Sequence, residues 1–225
     1  MLRIMEREMA AQEAKKNGTD IVNIVREYWE IVLLKNLFES PYGKDLIFKG
    51  GTALRLVYGS PRYSEDLDFS LIKDSLKGKF CPLFKKIISP FPELSLTDCA
   101  EKYFTYLAEI KVIIGYLTLP FRVKIEISKR VQKNYKWELK LISASVVNLQ
   151  VLAQVAILNQ LHKDKRACLR EREKPKDIFD LWYLCEQLKI PYNAQSMDIS
   201  KSILRRDLRK LLPKNYWQVI ESLIK

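Results

Sequence analysis

The stretch Leu46–Leu71, LIFKGGTALRLVYGSPRYSEDLDFSL, decides how this chain is read. An apolar run, Leu46, Ile47 and Phe48, predicts a short strand. Gly50 and Gly51 follow, then a helix from Thr52 to about Val57, a turn, and a second strand carrying Asp66 and Asp68. Side chains alternate along a strand, so Leu67 and Phe69 turn to a core while Asp66 and Asp68 face together into a cleft. Two carboxylates held side by side repel one another and lose solvation. A hard cation between them relieves both costs, and oxygen ligands of this kind suit Mg²⁺.

The glycines supply the other half of the expectation. A strand, Gly-Gly and a helix start expose free backbone N–H groups at the positive end of a helix dipole. Without Cβ atoms the backbone can approach a phosphate closely. Thr52 can cap the helix or offer its hydroxyl to the phosphate. An anion cradle beside an acidic metal pair makes a site for a nucleoside triphosphate with its Mg²⁺. It is not a P-loop, since no Gly-Lys-Ser/Thr follows the required spacer.

A third carboxylate is expected from a neighbouring strand, in Phe121–Ser128 (FRVKIEIS). Val123, Ile125 and Ile127 take one face of it, and Lys124, Glu126 and Ser128 the other. Asp66, Asp68 and Glu126 would then hold one or two Mg²⁺ ions. Two ions about 3.5–4 Å apart stabilise the attacking and leaving oxygens of an in-line displacement.

The motifs KGGTAL, RYSEDLDFS, VKIEIS and KRACLREREKPKDIFDLWYL, in that order, resemble the AbiEii/AbiGii family of nucleotidyltransferase toxins, which includes the mycobacterial MenT proteins. The resemblance spans roughly residues 45 to 185. It implies an α/β (α+β) fold: a polymerase-β-like nucleotidyltransferase mixed sheet with helices, followed by a helical C-terminal bundle. It also implies transfer of a nucleotide from an NTP to tRNA or another acceptor, and a cognate antitoxin as partner. Aligning KRACLRER so that Arg172 falls on the family's arginine places the family lysine at Lys165; its aspartate falls at Asp177. Lys176 stands where the family commonly has arginine, and Glu126 where members usually carry the shorter aspartate.

Residue pattern and resemblance together give the expected chemistry, the roles of Lys165 and Asp177 being implied by the resemblance. Gly50, Gly51 and Thr52 hold the triphosphate, with Lys49 or Arg62 assisting and Ser64 nearby. Asp66 and Asp68 hold Mg²⁺, and Glu126 completes a second metal site and helps activate an acceptor hydroxyl. Lys165 steadies the negative charge that develops on the triphosphate. Asp177 orients that lysine or contacts the nucleotide. Asp180, three residues on along a helix face, reads as structural, a partner for a neighbouring arginine.

Bulk properties narrow the class. The 225 residues carry a formal net charge of +12 with 48% hydrophobic content, enough for a sizeable core and one large domain or two small ones. A pI near 9.4 points to an acidic partner, most simply nucleic acid. Cys81, Cys99, Cys168 and Cys185 show no CxxC spacing and read as reduced thiols of a cytoplasmic protein. His162, the sole histidine, is too isolated for a zinc site. No signal peptide or membrane-spanning run is present.

Along the chain, a polar helix over residues 1–17 ends at Asn17-Gly18, and Asp20 is placed to cap a second helix running to about Phe38. Lys73 to Ile88 reads as a basic helix or loop. Glu93–Thr97, Tyr103–Ile114 and Arg122–Ser128 read as antiparallel strands, in a mixed, twisted sheet with helices on one side. Arg130 to Lys136 reads as a linker or substrate-facing loop, and Leu139–Ser145 as a further strand. From Val146 the spacing of Val147, Val151, Leu152, Val155 and Leu158 predicts helix. The expected division is therefore a nucleotidyltransferase domain over 1–145 and a helical domain over 146–225. Pro175 opens a helix through Asp177 and Asp180, and the tail from Asp198 reads as two amphipathic helices split at Pro213.

Two other readings fit the same residues. A fold-retaining but catalytically weak nucleic-acid-binding or regulatory protein would keep the charge without the transfer. A small-molecule nucleotidyltransferase would share paired aspartates, although strong basicity suits a polyanionic acceptor better.

Overall fold

The computed structural model describes residues 5–144, 147–192 and 199–223. Helix α1 (Arg7–Asn17) ends at Gly18, whose φ of 61° only glycine adopts freely and whose N–H bonds to the carbonyls of Ala14 and Lys15. Helix α2 (Ile21–Phe38) follows, with Asp20 at its N-cap position but no capping bond from the carboxylate. Then come β1 (Leu46–Lys49), α3 (Gly50–Tyr58), β2 (Asp66–Leu71), α4 (Phe80–Ile88), β3 (Leu94–Glu101), β4 (Thr105–Val112), β5 (Phe121–Ser128), β6 (Trp137–Ala144) and β7 (Val147–Ala156). Helices α5 (Leu158–Glu171), α6 (Pro175–Leu188), α7 (Lys201–Leu211) and α8 (Trp217–Leu223) complete the chain.

The strands form one seven-stranded sheet in the order β3-β4-β5-β2-β1-β7-β6. It is mixed, as expected. β2 runs parallel to β5 and antiparallel to β1, β1 runs parallel to β7, and the outer neighbours are antiparallel. One face is apolar throughout. Leu46 and Phe48 of β1, Leu67 and Phe69 of β2, Val123, Ile125 and Ile127 of β5, and Val151, Ala153 and Val155 of β7 merge into one core with Trp29 and Leu33 of α2 and Phe80 and Phe84 of α4.

The alternation of β1 sends Ile47 to the other face. There it joins Ala156, Leu161 of α5, Phe179 of α6 and Leu208 of α7 in a second core. Helices thus lie against both faces of the sheet, which corrects the one-sided expectation. Beside β1, the same face of β2 and β5 carries Asp66, Asp68, Lys124 and Glu126.

Three further expectations change. Residues 147–156 form a strand, not a helix. Val151, Ala153 and Val155 alternate inward against Leu152 and Gln154, and the same valines happen to fall at helical spacing. The expected boundary at 145–146 lies outside the described residues, while the helical run begins at Leu158. Helix α3 begins at Gly50 rather than Thr52. Finally, Cys81 of α4 and Cys99 of β3 are joined in a disulfide, Cα–Cα 5.8 Å, leaving Cys168 and Cys185 as thiols. Their separation of 18 residues carries no sequence signal of a bridge. Among the described residues no helix is long and apolar enough to cross a membrane.

Candidate active site

The three carboxylates come together because β2 and β5 are parallel neighbours in a defined register. Asp68 stands opposite Glu126, and Asp66 opposite Lys124. Paired residues share a face and adjacent strands lie about 4.8 Å apart, so all three acids look the same way. Two of them pair with lysines. Lys176 Nζ of α6 lies 3.0 Å from Asp66 Oδ2, and Lys124 bonds Glu126 along its own strand. Among the described residues no group of three or more acids, histidines or cysteines is drawn together closely enough to ligate an ion as it stands.

The donor set nevertheless fits a divalent cation. Burial pushes the Asp68 carboxyl up, Asp66 beside it pushes it further, and Lys49 and Lys165 oppose the shift. An acid strained in this way is relieved by a cation. Asp66 and Asp68 would hold the metal, and Glu126 would join after releasing Lys124.

The two glycines do something other than lie open. Gly50 has φ 80°, and a Cβ there would sit 2.2 Å from Asp68 Oδ2. A Cβ on Gly51 would sit 2.1 Å from Arg62 Nη2 and 2.9 Å from Ser64 Oγ. The missing side chains make room for the protein's own carboxylate and guanidinium. Thr52 is fully buried, and its hydroxyl donates to the Asp66 carbonyl, tying the start of α3 to the acid strand. With Lys49 in the N-cap position, Thr52 does not cap the helix. Lys49 is the N-cap residue, makes no side-chain cap, and extends over the Tyr135 ring at 5.9 Å.

Behind Gly51 lies a buried ion network. Arg62, 1% exposed, donates through Nε and Nη2 to the two oxygens of Asp180 at 2.7 and 2.8 Å, and through Nη1 to the Tyr63 carbonyl. Lys165 Nζ lies 2.7 Å from Asp180 Oδ2 and donates to Asp177 Oδ1 at 2.7 Å. Arg172 Nε approaches Asp177 Oδ2 at 3.3 Å as an ion pair without hydrogen-bond geometry, so that buried oxygen accepts no bond. Burial alone would lower the Lys165 pKa and raise that of Asp180. Asp180 and Asp177 outweigh burial at the lysine and push it up; Arg62 and Lys165 outweigh it at Asp180 and hold that carboxyl down to about 2. Asp180 therefore pairs with an arginine, as expected, and also fixes Lys165.

These groups line a cleft of about 120 Å³: Gly51, Arg62, Ser64, Asp66, Asp68, Lys124, Glu126, Lys165, Arg172, Lys174, Lys176 and Asp177. Of the expected site residues, Lys49, Gly50 and Thr52 are not on its wall. Lys124, Arg172, Lys174 and Lys176 are on it and were not assigned site roles from sequence. Lys174 and Lys176 also border an adjoining cavity of about 460 Å³, walled by Glu65, Pro175, Asp207, Lys210 and Leu211. The signal for Lys176 was its place one residue before Asp177, and for Lys124 its place on the Glu126 face.

Three solved structures share the fold. A crystal structure of JHP933 from Helicobacter pylori has 24% identity and a TM-score of 0.57, over 84% of this chain and 75% of that one. A putative nucleotidyltransferase from H. pylori has 22% identity and a TM-score of 0.57, over 88% of each chain. MenT4, a nucleotidyltransferase toxin from Mycobacterium tuberculosis H37Rv, has 17% identity and a TM-score of 0.58, over 89% of this chain and 68% of that one. No curated protein matches by sequence. The model of the family described as nucleotidyl transferase AbiEii toxin, type IV toxin–antitoxin system, matches residues 32–218, a span that takes in both strands of carboxylates and the whole buried network. The chain belongs to the AbiEii family of nucleotidyltransferase toxins.

Proposed function

We propose that the protein transfers a nucleotide from an NTP to an RNA hydroxyl, most simply the 3′ end of a tRNA, in a Mg²⁺-dependent reaction. One observation carries the reading. Asp66, Asp68 and Glu126 share one face directly beside a cleft in which six cationic side chains outnumber four carboxylates. A triphosphate, with its concentrated negative charge, is the ligand such a wall favours. The cleft is large enough for phosphates, and the adjoining cavity behind Lys174 and Lys176 has room for the nucleoside.

In the proposed reaction the acceptor oxygen attacks the α-phosphorus, the bond to the β-phosphate oxygen breaks, and diphosphate leaves. Magnesium, when bound by Asp66, Asp68 and Glu126, would neutralise phosphate charge and lower the acceptor hydroxyl's pKa. The protein's own part is positioning and charge stabilisation. Lys176 and Lys124 are free to turn to the triphosphate once the acids have another partner. Lys165, with two aspartates fixing its direction, supplies a preset positive charge. The net charge of +12 suits a polyanionic acceptor. The family's place in type IV toxin–antitoxin systems implies an antitoxin counterpart, and we place the activity in the cytoplasm, where NTPs and tRNA are found.

The test is incubation with labelled NTPs, Mg²⁺ and total tRNA. The reading predicts label entering RNA, and a shift in tRNA mass by whole nucleotides. Label remaining as NTP across all four nucleotides, with growth unaffected on expression, would argue against it.

A further inference from the structure

The tip of the β3–β4 hairpin displays two adjacent aromatic side chains. Tyr103 is 86% exposed and Phe104 53% exposed, and their rings meet edge to face with centroids 4.4 Å apart. So much ring surface left in water gains nothing for folding. Cations surround it. Arg130 lies over the Phe104 ring at 4.7 Å, and Lys129 over the ring of Tyr106 at 4.2 Å. Lys102 precedes the pair and Lys133 stands exposed in the segment that leaves β5. The Lys129 N–H donates to the Phe104 carbonyl, fixing the tip to that segment, while the Lys102 N–H donates to the Thr105 carbonyl and closes the turn.

The tip has a fixed relation to the carboxylates. Thr105 pairs with Ser128, and Leu107 with Glu126, which is itself opposite Asp68. Phe104 is three residues beyond Leu107, so the aromatic pair lies about 10 Å along the sheet from the Glu126 row. The segment from Lys129 then crosses to Tyr135, whose hydroxyl bonds Asp164 at the start of the helical half. By strand alternation Phe104 falls with Tyr106 on the face opposite Glu126, so the tip stands at the end of the β4–β5 pair beyond the carboxylate row.

We propose that Tyr103 and Phe104, with Lys129 and Arg130, are a stacking platform for unpaired bases of a single-stranded RNA acceptor. The inference rests on the reading that the acceptor is RNA. Exposed rings beside lysine and arginine are the elements that bind single strands without sequence preference: bases stack on the rings and phosphates pair with the cations. A duplex, with its bases stacked on each other, gains only the charge.

The experiment uses the full-length protein and the variant Tyr103→Ala/Phe104→Ala, which changes exposed side chains and no charge. A fluorescein-labelled single-stranded RNA oligonucleotide, and the same strand annealed to its complement, are titrated and followed by anisotropy. The platform predicts that the variant binds the single strand more weakly by about tenfold or more and the duplex unchanged. Equal affinity for the single strand, or an equal loss for single strand and duplex, overturns it; the rings would then serve another partner, such as a protein. Nucleotide transfer is measured in parallel. If the wild type transfers nothing to RNA yet single-strand binding still depends on the two rings, the acceptor reading fails and the platform stands. If transfer occurs with the same KM for RNA in both proteins, the acceptor reading stands and the platform fails.

Discussion

Lys176 Nζ lies 3.0 Å from Asp66 Oδ2, so an ammonium group from α6 partners the first carboxylate of β2 across 110 residues of chain. A cation entering the acid pair must compete with that lysine. Both side chains are 29% exposed, so the pair is screened and contributes no more than about 1 kcal/mol. Lys176→Met is therefore expected to tighten Mg²⁺ binding by up to about fivefold. It should also weaken nucleotide binding, since the lysine is freed for phosphate. Calorimetric titration with Mg²⁺, with and without NTP, separates the two; weaker metal binding in the variant would show that Lys176 supports the site rather than competing for it.

Arg62 and Asp180 form the most deeply buried ion pair among the described residues, and Lys165 shares the same carboxylate. Removing one partner leaves buried charge uncompensated, a loss of about 3–5 kcal/mol. Asp180→Asn should lose that much stability in urea denaturation. The double variant Asp180→Asn/Arg62→Met should lose less than the sum of the two single changes, because each removes the other's unpaired charge.

The same pair sets an acid limit. The Asp180 carboxyl titrates near 2 in the folded protein against 3.8 as its ordinary value, a depression produced by Arg62 and Lys165 against the opposing effect of burial. An acid with a lowered folded pKa stabilises above its unfolded pKa and loses that contribution as pH falls through the folded value. About 2 kcal/mol should thus be lost between roughly pH 4 and pH 2. The stability gap between wild type and Asp180→Asn should narrow by about that amount as the pH falls through this range; a constant gap would contradict the assignment.

Gly50 and Gly51 test the glycine turn separately from phosphate binding. A Cβ at Gly50 meets the Asp68 carboxylate at 2.2 Å on a backbone already at φ 80°, and one at Gly51 meets an Arg62 guanidinium that Asp180 holds in place. Neither neighbour can move without disturbing the site. Gly50→Ala and Gly51→Ala should each lower transfer by about 100-fold, the loss typical of a 1 Å misplacement. Transfer at the wild-type rate in Gly50→Ala would show that Asp68 tolerates displacement.

The Cys81–Cys99 bridge joins α4 to the edge strand β3, three strands from β2 in the sheet order. Closing a loop of 18 residues contributes about 3 kcal/mol. Dithiothreitol, or Cys81→Ser/Cys99→Ser, should lower stability by about that amount while leaving nucleotide transfer intact. A loss of transfer in parallel with stability would place the bridge in control of the site.

Local chemistry was legible in the sequence; contacts between distant segments were not. The strand, Gly-Gly, helix and Asp-Leu-Asp order could be read because each rests on neighbours a few residues apart. The alternation of Val123, Ile125 and Ile127 against Lys124 and Glu126 likewise fixed β5. Strand β7 was misread because Val147, Val151 and Val155 recur every four residues and also every second pair. The polar Asn148, Gln150 and Gln154 carried the period of two that distinguishes a strand. What Gly51 makes room for depends on Arg62, and Arg62 on Asp180, 118 residues away. No spacing rule reaches that far. Lys176 was visible only as a departure from the family's arginine; its contact with Asp66 required the fold.

The central claim is that Asp68, with Asp66 and Glu126, holds the metal through which a nucleotide reaches RNA. Mass analysis of tRNA incubated with NTPs and Mg²⁺ tests it most directly, comparing wild type with Asp68→Asn after both are shown to be folded. The account predicts nucleotide addition by the wild type and none by the variant, with chelation of Mg²⁺ abolishing the wild-type product. Equal addition by both proteins would contradict it.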